Sequence, residues 1–218
     1  MTPFRIILFS LLILYSLALL YVEWRFGQPV VRHFFTDIDG IHKSVIPHFP
    51  FYGINTTLSA FTLWATALLF AIGLLIIDPI QKLQEWRFFI SQIVMFTYFG
   101  FDDRFMIHEA LYHGDLVLAG LGFIELCCLI LWGQLKTRPR QALLYLYVGV
   151  VWAVIMLGID FILPSRLPLR LAGEDLAKLW GVVCLFFFAW EILMKNIFTF
   201  KESNMPTTAY KSFKKEKL

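Results

Sequence analysis

Charge is scarce in this chain: 16% of its 218 residues are Asp, Glu, Lys or Arg, while 59% are hydrophobic. An ordinary soluble domain carries about 25% charged residues, so that class is excluded. The net charge of +3 leaves no strongly basic surface, and no nucleic-acid partner is expected. Cysteine is scarce too. Cys127, Cys128 and Cys184 all lie inside apolar runs. Two neighbours on a helix point about 100° apart, so neither a disulfide nor a thiolate metal site is expected. The chain also lacks GxSxG, HxxxH, a glycine-rich phosphate loop and the ExxH pairs of carboxylate-bridged metal bundles. No internal repeat and no low-complexity segment is present.

What fills the chain instead is hydrocarbon-soluble sequence. A bilayer core of about 30 Å takes about 20 helical residues to cross. Six runs suit that length: Phe4–Val22, Thr57–Ile77, Trp86–His108, Leu116–Gly133, Ala142–Leu163 and Leu176–Met194. They are continuously apolar rather than alternating, which favours helices over a barrel. The expected fold is all-α, a polytopic membrane protein in which residues 1–200 form one six-helix transmembrane bundle. Residues 26–56, with scattered aromatics and prolines at 29, 47 and 50, are expected as an interfacial flap on the outer side. Residues 201–218 are expected as a basic, disordered cytoplasmic tail. With the amino terminus inside, twelve Lys and Arg fall on inner segments and seven on outer ones. This places both termini in the cytoplasm of a plasma (inner) membrane.

Local signals add detail. Asp78-Pro79 stops the second helix, and Pro139 marks the start of the fifth. Gly114 is expected as the left-handed end of the third helix, with Asp115 capping the fourth. The sixth is expected to begin with Glu174-Asp175, where acids suit the helix dipole, and Glu174 is spaced to pair with Lys178. Asn55-Thr56-Thr57 has the form of a glycosylation sequon, but capping of the second helix is the simpler reading.

The chemistry gathers in YFGFDDRFMIHEALYHGD, residues 98–115, which supplies Asp102, Asp103, Arg104, His108, Glu109, His113 and Asp115. Asp102, Glu109 and His113 share a helical stripe, and alternation of the helices brings Asp160, Glu174 and Asp175 to the same outer end. These residues are the candidate ligands for a divalent metal, a lipid headgroup or a partner. Acids paired with Arg104, Arg166 and Arg170 are the plainer alternative. His108 and His113 are five apart, about 140° around a helix, which rules out the HExxH zinc motif. Glu125, near mid-membrane with Gly122 and Cys128 on its face, is expected to point into the bundle. There it either bonds a serine, threonine or tyrosine or relays a proton or cation.

The Asp/His pattern is similar in kind to membrane hydrolases such as the alkaline ceramidases and progestin receptors, which hold zinc. This chain has no paired-histidine helix and six expected spans instead of seven, so no residue roles carry over. Three functions are therefore expected, in order. The first is a binding or accessory protein contacting lipid, a membrane partner subunit or its own copies. The second is a metal-dependent enzyme acting on an apolar substrate at the outer interface. The third is a proton- or cation-coupled carrier using Glu125.

Overall fold

A computed structural model describes residues 3–31, 53–78, 80, 82–105, 107, 114–164 and 167–203. Among the described residues the chain is all-α, with seven α-helices, one short 3-10 turn and no strand. The helices are α1 (Pro3–Phe26), α2 (Gln28–Val31), α3 (Ile54–Leu74), α4 (Leu83–Phe105), α5 (Gly114–Trp132), α6 (Arg140–Ile162) and α7 (Arg170–Ser203). Each of the six expected runs falls on one of these helices. Four of them, α1, α3, α6 and α7, are long and apolar enough to cross a membrane. In α4 the apolar stretch is bounded by Glu85 and Arg87 at one end and Asp102, Asp103 and Arg104 at the other. The flap expected at 26–56 falls largely, and the tail after Ser203 wholly, outside the described residues.

Several ends differ from expectation for local reasons. Gly27, at φ +84°, is the left-handed residue closing α1, its amide bonded to the Glu23 carbonyl at 2.8 Å. Gly114 is not such a residue; it is the first of α5, which puts Asp115 inside that helix rather than at its cap. The left-handed residue of the next loop is Gln134, at φ 47° just beyond α5. The Pro139 carbonyl receives the first bond of α6, from Leu143 at 3.1 Å. Beyond α3, Asp78 folds back, its Oδ1 accepting the Ile80 amide at 2.9 Å. Helix α7 starts at Arg170, four residues before the expected acids, because Leu169 takes φ 63° after Pro168 and breaks the chain there.

The chain divides into two compact units, residues 1–62 with 147–184 and residues 63–146 with 185–218. In the first unit, Leu19 and Val31 pack with Ala172 and Leu176 of α7. Trp180 stacks on both Phe9 (5.9 Å) and Trp152 (6.0 Å), and its ring N–H donates to Ser16 Oγ at 3.1 Å. In the second unit the core is aromatic. Phe70 meets Phe88, Phe89, Phe96 and Phe188 with ring centroids 5.4–6.2 Å apart. Here α3 and α4 each give up a side chain to admit the other's ring: a methyl on Gly73 would overlap Phe89, and one on Gly100 would overlap Trp64.

Candidate functional site

In the first unit the acids near the ends of α1, α6 and α7 are tied to basic groups and amides. Arg170 Nη2 donates to Asp160 Oδ1 at 2.8 Å and to the Asp160 carbonyl at 3.1 Å. Its Nη1 lies 3.4 Å from Glu174 Oε2, one turn along α7. One guanidinium thus joins the end of α6 to the start of α7. Asp160 meets a helix neighbour, α7, through Arg170, although its side chain remains 48% exposed.

Glu23 lies at the end of α1 and is buried. It is 3% exposed, and its Oε2 accepts the Ala172 amide at 2.6 Å. Ala172 is the third residue of α7, so the carboxylate satisfies one of the amides that a helix start leaves open. The dipole of α7 favours a negative charge at the same point. Glu23 Oε1 is buried with no hydrogen-bond partner among the described residues.

Asn55 is fully buried and caps no amide of its own helix. Its Nδ2 donates to the Asp175 carbonyl at 3.1 Å, and its Oδ1 accepts from Tyr15 at 3.4 Å. A side chain so enclosed cannot accept a glycan in this fold.

The remaining expected ligands divide. Asp102, 3% exposed, and the half-buried Asp103 stand in the last described turn of α4, in the second unit. Asp160, Glu174 and Asp175 belong to the first unit. His108, Glu109, His113 and the side chain of Asp115 lie outside the described residues. Among the described residues no group of three or more His, Cys, Asp or Glu is placed to hold a metal.

Within the second unit, Glu125 turns toward α4, where its partner is an amide rather than the hydroxyl expected. Gln92, 0% exposed, donates its Nε2 to Glu125 Oε1 at 2.6 Å. Neither Gln92 Oε1 nor Glu125 Oε2 has a partner among the described residues, although both are buried. Ser91, next to Gln92, donates to the Phe88 carbonyl at 2.8 Å, and its Oγ lies 3.5 Å from Gln92 Nε2. Gly122 does not mediate close packing as expected: it is exposed, and nothing lies within 4 Å of an added Cβ.

The other end of α4 carries a second buried charge. Arg138 Nη1 meets Glu85 Oε1 at 3.1 Å, its Nε donates to the Gly133 carbonyl at 2.9 Å, and the guanidinium lies 4.7 Å over the Phe88 ring. Burial pushes Arg138 below its ordinary pKa, and the Glu85 carboxylate opposes that shift. Nearby, Lys195 Nζ donates to the Thr137 carbonyl at 2.7 Å, and Asn196 Nδ2 approaches Glu85 at 3.5 Å.

Residues 6–192 match the family model described as Domain of unknown function (DUF8692). The chain belongs to this family. No curated protein and no solved structure matches it. The DUF8692 match takes in Glu23, Asn55, Glu85, Gln92, Asp102, Glu125, Arg138 and Asp160, and stops before the lysine-rich tail. Of these, Glu23, Glu85, Gln92 and Arg138 were not singled out from sequence as site residues. The available signal was general: a polar or charged residue inside or flanking an apolar run must find a partner.

Proposed function

We propose that this DUF8692 member is an integral membrane binding or accessory protein. Six helices cross the plasma (inner) membrane, both termini are cytoplasmic, and an acidic end faces outward toward a lipid headgroup or a partner subunit. The four long apolar helices support the membrane reading, and the six-span arrangement takes α4 and α5 as the other two crossings. Residues 26–56 face outside in this arrangement. The observation that favours an accessory role is Arg170 holding both Asp160 and Glu174. Acids engaged as ties between helices are spent on holding the fold together. The apolar faces of α1 and α6, with 22% and 17% of their spanning windows buried, then become the surfaces offered to lipid or to a membrane partner.

Removal of the acids tests this reading. Asp160→Asn and Glu174→Gln each lower the thermal stability of the purified protein, by less than about 1 kcal/mol because both pairs are partly exposed. Acids kept for a ligand and held at a cost to the fold give the opposite sign, a rise in stability on removal. A carrier using Glu125 is the second reading, and the buried Gln92 contact is what favours it. The metal-enzyme reading rests on His108, Glu109 and His113 together with Asp102.

A further inference from the structure

We infer that Glu125 and Gln92 form a buried proton-binding pair, in which acid and amide meet at two points once Glu125 carries its proton. The inference is independent of the accessory reading and requires no transport. The Gln92 amide carries two N–H donors and one carbonyl acceptor, and its Nε2 donates to Glu125 Oε1 at 2.6 Å and reaches Ser91 Oγ at 3.5 Å. What remains is Gln92 Oε1 and Glu125 Oε2, both buried and both without partner among the described residues.

With Glu125 ionised, those two atoms are both acceptors and cannot bond each other. Each then bears the cost of a buried unsatisfied polar group. One proton on Oε2 converts it to a donor whose complement is Gln92 Oε1. A single ligand therefore satisfies both orphan atoms, and the amide and acid close a ring with two hydrogen bonds. Gln92 is 0% exposed, which keeps water from substituting for that proton.

A metal ion fits this site less well. Calcium takes six to eight oxygens and magnesium a near-octahedral shell, whereas the site presents two free oxygens. The Ser91 hydroxyl is already donating to the Phe88 carbonyl, and the Cys128 thiol is a poor ligand for a hard cation. Gln92 on α4 bonds Glu125, and Cys128 on its own helix is close enough to feel its charge; Cys128 is titratable and Gln92 is neutral. No arginine or lysine is bonded to Glu125 among the described residues.

Infrared difference spectroscopy of the full chain in lipid nanodiscs tests the pair, with Glu125→Gln as the reference. The expected result is a protonated-carboxyl stretch at neutral pH that is absent from Glu125→Gln. That variant should keep the wild-type melting temperature, since a second amide supplies the same donor and acceptor. In Gln92→Leu the band should persist and move to higher wavenumber, as the carboxyl loses its partner. Absence of the band from the wild type overturns the proposal. So does its disappearance on adding sodium or calcium, which would make the ligand a metal cation. Failure of Glu125→Gln to fold also overturns it, because that change preserves both bonds of the protonated pair.

Discussion

Glu23, at the end of α1, accepts the backbone amide of Ala172 at 2.6 Å across 149 positions of sequence. Ala172 is fully buried, so no water can take the place of that carboxylate. Glu23→Ala should cost about 1–3 kcal/mol by leaving a buried amide open. Glu23→Gln keeps an acceptor and should lose only the charge–dipole part, about 0.3–1 kcal/mol. Thermal melts of the two variants in one detergent check the order. Equal losses would mean that the charge, not the acceptor, is what α7 needs.

Arg138 and Glu85 make a different kind of pair, with side chains only 5% and 15% exposed. A guanidinium stays charged at neutral pH, so Glu85→Leu leaves a buried cation uncompensated, at a cost of about 3 kcal/mol or more. Combining it with Arg138→Met should recover much of that loss, since an apolar pair of similar volume carries no such charge. A double-mutant cycle measures the coupling. Losses that simply add would show that the two side chains act separately.

Glycines distinguish packed faces from open ones. Gly73→Ala and Gly100→Ala force Phe89 and Trp64 to move, and each should destabilise by about 1–3 kcal/mol. Gly122→Ala adds a methyl to open space and should be neutral, or stabilising by up to about 1 kcal/mol. Loss of stability or of assembly in Gly122→Ala would instead reveal a partner seated on α5.

The helices were legible because hydrocarbon length is a one-dimensional signal. The run read as Leu116–Gly133 folds as Gly114–Trp132, and Ala142–Leu163 as Arg140–Ile162. The start of α7 was not legible, because a left-handed Leu169 has no signature comparable to glycine. The partners of buried polar groups were hardest of all. Glu23 finds Ala172, and Gln92 finds Glu125, through tertiary packing that no local spacing encodes. Helical periodicity turned Glu125 toward a neighbour correctly, yet placed exposed Gly122 on a packed face. The plainer alternative, acids paired with arginine, is met at Arg170, which holds Asp160 and Glu174.

Orientation is open to chemical labelling. Gln134 is exposed beside the basic loop expected inside, and Ser44 lies in the segment expected outside. A cysteine at Ser44 should react with an impermeant thiol reagent on intact cells, and one at Gln134 should not. Labelling of Gln134→Cys alone would invert the topology and turn the acidic end inward.

The central claim is that the acids of this protein tie helices together or hold a proton rather than carry a catalytic metal. Elemental analysis of the protein, purified without chelator, tests it most directly. The account predicts no divalent metal at a fixed ratio to protein, and the same result for Asp102→Asn and Asp160→Asn. A stoichiometric metal in the wild type that is lost in Asp102→Asn would contradict it and favour the metal-dependent enzyme.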